Sequence, residues 1–251
     1  MTMHIHHHPD IRKKNIKEYI FEGLMIFMAI TLGFFAERLR EEWTEHSKGK
    51  QLIVSMIEDA QTDMANITKA IDLNKKRVLK LDTLANRCFN YGTPGNDDAS
   101  LYRLIIACIQ HPDFVSPVER TMSQLKNAGG MRLIEKTAAT DNIIFYDDIF
   151  KKVVNQQDYY DLHLKELLVV TEQVFNMRYF PFNPQTFRWE SDPAVLSSAK
   201  LITQDKTKII EFGNKAKIFQ GIVMFYIRRL EEAKKHADCL IETLKKEYDI
   251  R

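Results

Sequence analysis

The sequence predicts an all-α protein: an N-terminal transmembrane helix that continues toward an elongated helical bundle with three long helices and two or three short ones. An apolar run near the N terminus is long enough to cross a bilayer. Beyond it, apolar residues recur at alternating intervals of four and three, the period of helices that pack together. Only 9 glycines and 7 prolines occur, and the prolines lie outside the long periodic segments, as in helical proteins.

Residues 1–18 are predicted to form a basic, His-rich cytoplasmic tail. Imidazoles that lie close together can bind a transition metal. The histidines in question are His4, His6, His7 and His8, with Asp10 beside them. The favoured interpretation is a flexible segment with incidental metal affinity, so the sequence predicts no metal site and no cofactor.

Residues 19–36 are predicted to be a transmembrane helix. The run from Tyr19 to Ala36 has about 18 residues, which at about 1.5 Å per residue covers about 27 Å of hydrocarbon. Its one charge, Glu22, lies within a turn of the start, where a carboxylate can reach the lipid headgroups. Glu37 and Arg38 follow directly in place of a small-residue cleavage site, which favours an uncleaved anchor over a signal peptide. The other alternative is a buried helix of a soluble core.

Basic residues flank the anchor on both sides and balance in number, so their count alone does not choose an orientation. A short basic tail ahead of a long domain favours a tail inside the cell. The sequence therefore predicts a single-pass protein of the inner membrane whose helical-bundle domain, residues 37–251, lies in the periplasm.

A stripe along the anchor predicts self-association. Glu22, Ile26, Ala29, Gly33 and Ala36 are spaced by four and three residues in turn, which places them on one face of a helix. Ala29 and Gly33 form a small-xxx-small pair, along which two helices can approach closely in lipid. We expect a homo-oligomer that associates through this face of the anchor and through the first long helix that follows it. The alternative is an oligomeric ion channel, or a subunit of an ion-driven membrane machine, with Glu22 near the pore.

The first long helix of the bundle is predicted over about 38–90. Its stripe at heptad spacing consists of Ile53, Ile57, Ala60, Met64, Ile67, Ile71, Asn74, Val78, Leu81, Ala85 and Cys88. The polar member, Asn74, either fixes the register of a coiled coil or bonds to a neighbouring helix. The sequence YGTPGNDD at 91–98 is a turn that ends this helix.

Short helices follow. The first is predicted over 99–110, where Pro112 stops it. The second is predicted to begin with SPVE at 116–119, because a capping serine, a proline at the first helical position and a glutamate three residues after the serine start a helix. It closes at the two glycines 129–130, and a further short helix is expected over about 131–136.

The other two long helices are predicted over about 140–180 and 203–248, from apolar stripes at helical spacing. Between them lies the irregular segment PFNPQTFRWESDP at 181–193, which is rich in aromatic and charged residues. Loops of this kind on a helical scaffold often carry recognition sites. The candidate recognition residues are Phe187, Arg188 and Trp189.

The layout resembles a family of small single-span membrane proteins of double-membraned bacteria. The resemblance rests on a basic tail, an apolar helix that ends in ERLREEW, a long heptad helix, and the segment SQLKNAGGMRLIEKTAATDNIIFYDD. Its most specific part is Leu125 to Tyr146, where the family similarly shows a leucine, a glycine before Arg-Leu-Ile, and a tyrosine. The anchor departs from the family by carrying Glu22 and many Phe and Met residues. Because the family has no assigned activity, the resemblance implies architecture and supplies no catalytic residues.

Composition and motifs argue against several function classes. Lys plus Arg total 36 and Asp plus Glu total 34, which gives a formal charge of +2. So small a charge does not produce an electrostatic field that would attract nucleic acid along the chain. The 3 cysteines show no CxxC spacing, and no metalloprotease, nucleophile-elbow or phosphate-loop motif occurs. Asp147, Asp148, Asp158, Asp161, His163 and Glu166 fall on one predicted helix, but their spacing is that of a solvated face and lacks Glu-x-x-His pairs.

The sequence therefore predicts a non-enzymatic, membrane-anchored scaffold, sensor or accessory subunit. Its expected partners are membrane lipid, further copies of itself and a protein in the same membrane.

Overall fold

The structure, a computed structural model, describes residues 15–112, 114–127, 129–190 and 192–250. The histidines of the tail, with their metal alternative, lie outside these residues. Six α-helices occur in the described parts: α1 (Ile16–Phe89), α2 (Asp98–Ile109), α3 (Arg120–Asn127), α4 (Thr137–Val174), α5 (Pro193–Leu196) and α6 (Lys206–Glu247). The all-α prediction is confirmed. The chain divides after Gly49 into two compact units.

In the first unit, helix α1 exposes every residue from Ile16 to Thr44. This helix is long and apolar enough to cross a membrane, and none of its apolar window is covered by protein. After the apolar run, ion pairs one turn apart join Arg38 to Glu42 and Arg40 to Glu37, as on a solvated helix face.

In the second unit, α1 from Lys50 onward packs with α4 and α6. The apolar stripes predicted for all three helices are confirmed as the core, because nearly all of their members are buried. In the stripe of α1, only Met64 and Val78 are half-buried. This stripe is thus covered within the chain itself. Asn74 bonds to a neighbouring helix, since the Tyr160 hydroxyl donates to its Oδ1 at 3.3 Å.

Contacts along the helices give their directions: α1 and α4 run parallel, and α6 runs antiparallel to both. The pairs between α1 and α4 are Asp63 with Tyr146 and Asn74 with Tyr160, while those between α1 and α6 are Lys75 with Glu231 and Asp82 with Lys217. Two parallel helices need a returning connection. The chain from α2 to α3 provides it, running back along the bundle as a fourth layer.

The fourth layer is not a continuous helix, because a non-helical segment separates α2 from α3. The prediction of a helix start at Ser116, within this segment, is wrong. Helix α3 begins at Arg120, and the segment between Pro112 and α3 is not helical where it is described. Its backbone groups bond to side chains of the long helices. Gln157 donates to the Val115 carbonyl at 2.8 Å, and the Val118 N–H donates to Asp63 at 2.9 Å.

Other boundaries also differ from the prediction. Helix α4 ends at Val174, not near residue 180, because Asn176 then caps a short 3₁₀ turn, Met177–Tyr179. The expected helix over 131–136 is a 3₁₀ turn, Gly130–Leu133. The segment expected to be irregular contains an antiparallel hairpin, β1 (Phe182–Asn183) and β2 (Arg188–Trp189), followed by α5.

Candidate functional site

The predicted oligomer seam lies on the exposed part of α1. Glu22, Ile26, Ala29, Gly33 and Ala36 are all exposed. A Cβ built on Gly33 would meet no atom within 4 Å. The chain therefore leaves this face uncovered in the unit that contains it.

The predicted recognition residues lie on the hairpin. Its turn is held by Asn183, whose Oδ1 accepts from the N–H groups of Gln185 and Thr186 at 2.8 and 3.3 Å. Phe187 takes a positive φ of 54° and remains 78% exposed. Trp189 is half-buried, and its ring packs edge-on against Phe182 with centroids 5.3 Å apart.

One side chain docks the hairpin on the end of α2. Gln110 donates through Nε2 to the Trp189 carbonyl at 2.5 Å, and its Oε1 accepts from the Trp189 N–H at 3.4 Å. The amide thus pairs with both backbone groups of one residue, as a neighbouring strand would. This pairing fixes where the adjacent residue, Arg188, lies.

Arg188 lines a cavity of about 230 Å³ between α1, the end of α2 and the hairpin. The lining residues are Ala70, Leu73, Asn74, Lys76, Arg77, Lys80, Ala107, Gln110, His111, Pro112 and Arg188. Four of them are cationic, and none of those described is a carboxylate. The cavity therefore combines a small apolar floor with a cationic wall.

A buried hydrogen-bond chain orients Arg77 at this wall. The guanidinium donates to the hydroxyl of Tyr160, which is 0% exposed, and that hydroxyl donates to Asn74, which is 3% exposed. Asn74 in turn donates to the Ala70 carbonyl at 2.9 Å. Burial raises the pKa of Tyr160 to about 12, although the charge of Arg77 lowers it, so the phenol keeps its proton at neutral pH.

His111 lies at the rim of the cavity. Its Nε2 is 3.0 Å from Asp161, whose other oxygen pairs with Lys165 at 3.1 Å. Partial burial raises the pKa of Asp161, but the hydrogen bonds and charges of Lys165 and His111 outweigh it, and the net pKa is lowered. Both carboxylate oxygens are thus engaged at the rim.

A second polar cluster lies inside the bundle, where α1 carries Asp59 and Asp63 one turn apart. Asp59 is 3% exposed and accepts from the Thr121 N–H at 3.0 Å and from Arg120 at 2.7 Å. Asp63 is 1% exposed and accepts from the Tyr146 hydroxyl and the Val118 N–H, both at 2.9 Å.

Asp59 and Asp63 bind the backbone at and just before the start of α3, where the sequence predicted that Ser116 would act as the cap. A cavity of about 170 Å³ adjoins this cluster, lined in part by Tyr146 and Val118. Burial raises the pKa of Asp63 and outweighs the hydrogen bonds from Val118 and Tyr146, which lower it. The two carboxylates thus hold the backbone of the fourth layer near the start of α3 against α1.

The acidic residues singled out on α4 do not converge. Asp147 pairs with Lys126 and Lys151, and Glu166 pairs with Lys215. Across the described ranges, no group of three His, Cys, Asp or Glu side chains is arranged to hold a metal ion. Sequence reasoning missed Lys76, Arg77 and Lys80 instead, since cations on the outer face of an amphipathic helix look like ordinary solvated residues.

Comparison of the chain with protein-family models, with curated proteins and with solved structures finds no match.

Proposed function

We propose that this protein is a single-pass protein of the inner membrane that self-associates through its anchor and presents a non-enzymatic helical bundle in the periplasm. In this role it acts as a scaffold, sensor or accessory subunit for a protein in the same membrane. The observation that carries the proposal is the bare apolar surface of α1. Phe21, Met25 and Phe34 are 68%, 68% and 72% exposed.

Such exposure is unfavourable in water. Burial of one large apolar side chain stabilises a protein in water by about 1.5–3 kcal/mol, and an uncovered side chain does not contribute this free energy. The same surface on a helix is favourable in hydrocarbon, because the backbone hydrogen bonds of a helix are satisfied internally. Lipid, with a second copy on one face, is the surrounding that fits residues 19–36.

We place the self-association in the anchor because the heptad stripe of α1 beyond the anchor already packs against other helices of the same chain. The members of that stripe from Ile53 to Cys88 are buried or half-buried against the chain's own helices. The stripe through Ala29 and Gly33 is uncovered and has the small residues that let two helices approach.

The topology is tested with the native cysteines. Cys239 is exposed, whereas Cys88 and Cys108 are buried. Burial raises the pKa of each of these two thiols to about 12, which keeps them unreactive. We expect the chain to stay in the membrane pellet after an alkaline carbonate wash, and a membrane-impermeant maleimide to label intact spheroplasts at Cys239.

Cys239→Ser serves as the control and should remove this labelling. Labelling that appears only after lysis would place the bundle in the cytoplasm, and release of the chain by carbonate would refute the anchor itself.

The seam is tested by a pair of glycine substitutions in the anchor. Gly33→Ile places a branched side chain on the predicted seam, whereas Gly23→Ile adds the same side chain about 80° away around the helix. At both positions a new Cβ meets no atom of the chain within 4 Å. We expect Gly33→Ile to weaken self-association about tenfold, or about 1.4 kcal/mol, as measured by single-molecule photobleaching in lipid vesicles. Equal effects of the two substitutions would show that the seam lies elsewhere.

A further inference from the structure

We propose that the cationic cavity between α1, α2 and the hairpin is a binding site for a compact anion of the phosphate class with at least two negative charges. The inference stands on the helical bundle alone and holds whether or not the anchor self-associates. It adds a ligand site to a protein for which a scaffold or sensor role is proposed.

The charge of the lining favours an anion. Lys76, Arg77 and Lys80 lie within five residues of α1, and like charges one turn apart repel each other on a helix. Among the described residues, the ion pairs that α1 forms with its neighbours do not include Lys76 or Lys80. Elsewhere in the bundle, lysines of the same helices have such partners, for example Lys75 with Glu231 at 3.0 Å and Lys217 with Asp82. A bound anion would supply the missing countercharge.

Arg77 is held in place before any ligand binds. A surface arginine usually samples many rotamers, and a ligand must then offset the entropy lost on ordering it. Arg77 is already ordered by the fully buried Tyr160 and by Asn74. A guanidinium has five N–H donors in a rigid fork that matches phosphate oxygens. With one nitrogen directed to the phenol, donors on the other nitrogens remain to face the cavity.

Residues from three separate elements line the cavity. The pairing of Gln110 with the backbone of Trp189 brings Arg188 of the hairpin into the lining of the cavity, which Lys76, Arg77 and Lys80 of α1 also line. Charges that converge from separate elements surround an anion on several sides, which a single helix face cannot do. The hairpin thereby gains a role as one wall of the site.

The size of the cavity limits the ligand. Pockets for drug-sized molecules measure about 300–1,000 Å³. This cavity has about 230 Å³, and Ala70, Leu73 and Ala107 form its apolar part. It fits one or two phosphate groups with little organic substance attached.

The test is isothermal titration of the full-length protein, in nonionic detergent, with inorganic pyrophosphate at fixed ionic strength. Fixed ionic strength matters because salt screens exposed charges. We expect saturable binding that Lys76→Gln and Lys80→Gln each weaken by about tenfold, since one charge-assisted hydrogen bond is lost. Lys75→Gln removes the same charge one residue away, from a side chain that pairs with Glu231, and should change the affinity by less than about twofold.

Two results would overturn the site. One is the absence of saturable binding at millimolar pyrophosphate. The other is an equal loss in Lys75→Gln and Lys76→Gln, which would show diffuse attraction by surface charge. Because these lysines are exposed, the variants are expected to fold.

The contribution of the hairpin to the site is tested by replacing Arg188. Arg188→Gln should also weaken pyrophosphate binding by about tenfold. Arg178 lies ten residues earlier in the sequence and is not among the lining residues, so Arg178→Gln should leave the affinity unchanged. If Arg188→Gln binds like the wild type, the hairpin has no part in the site and that step of the proposal is wrong.

The phosphate can belong to a soluble compound or to a lipid headgroup. The same titration in nanodiscs separates these sources. Phosphatidylglycerol nanodiscs that lower the apparent pyrophosphate affinity relative to phosphatidylcholine nanodiscs would identify a headgroup as competitor. Equal affinities would exclude the phosphatidylglycerol headgroup as a competitor and favour a soluble phosphate compound. Both results require saturable binding of pyrophosphate.

Discussion

Replacing Asp63 with alanine is expected to lower the free energy of unfolding by about 4 kcal/mol. The substitution removes the acceptor of two buried hydrogen bonds, from the Tyr146 hydroxyl and from the Val118 N–H. A buried donor that is left without an acceptor costs about 1–3 kcal/mol, and two donors are affected here. Chemical denaturation of the full-length protein in detergent, followed by the fluorescence of its tryptophans, measures the loss.

Asp63→Asn is the matched control. Its side-chain oxygen can still accept one of the two hydrogen bonds, so we expect a loss of about half that of Asp63→Ala. Tyr146→Phe removes one donor and leaves the Val118 bond in place, so it should also cost less than Asp63→Ala. If Asp63→Ala were as stable as the wild type, the carboxylate would not hold the broken fourth layer.

The pH dependence gives a second readout of Asp63. Burial raises the folded-state pKa of this carboxyl above its ordinary value of 3.8, and the charge of Asp59 raises it further against the lowering hydrogen bonds. The folded state therefore holds the proton more tightly than the unfolded state. The resulting stabilisation is fully present below pH 3.8 and is lost as the pH rises through the folded pKa.

The stability advantage of the wild type over Asp63→Asn should accordingly shrink as the pH rises above 3.8 and through the raised folded-state pKa. Carboxylates with a lowered pKa, such as Asp82 and Asp147, stabilise the folded state less as the pH falls. This loss is the same in the wild type and in Asp63→Asn, so it cancels when their free energies of unfolding are subtracted. A difference that stays constant with pH would show that Asp63 titrates normally.

Replacing Gly213 with leucine is expected to destabilise the bundle by about 3 kcal/mol. Gly213 lies on α6 where it crosses the end of α1, and a Cβ built there would be 2.9 Å from Cβ of Cys88 and 3.0 Å from the ring of Phe89. Overpacking of a core costs about 1–3 kcal/mol, and Cys88 is fully buried, so its Cβ cannot move without the backbone of α1. Thermal and chemical unfolding should show the loss, with Gly213→Ala intermediate.

Gly221→Ala, on the same helix, separates packing from helix propensity. A Cβ at Gly221 meets no atom within 4 Å. Alanine favours a helix interior over glycine by about 1 kcal/mol, so this variant should be more stable than the wild type. Opposite signs for Gly213→Ala and Gly221→Ala are the expected result, and a gain at both positions would mean that α1 and α6 do not approach closely at Cys88.

The sequence alone determined the helices. The intervals of apolar residues are a local property, and they predicted the buried faces of α1, α4 and α6 together with the turn at 91–98. The exposed apolar run at 19–36 was equally visible, because its length and composition suffice to recognise it.

Only the tertiary structure decided how the helices are joined and where polar groups meet. The pattern at 116–119 has the residues of a helix start, yet that backbone stays non-helical because Asp63 and Gln157, far away in sequence, bind it. Lys80 and Arg188 likewise share one cavity through the docking of Trp189 on Gln110. The spacing of apolar residues shows which side of each helix is apolar. Hydrogen bonds between distant segments depend instead on how the helices pack against each other, and the spacing does not predict this packing.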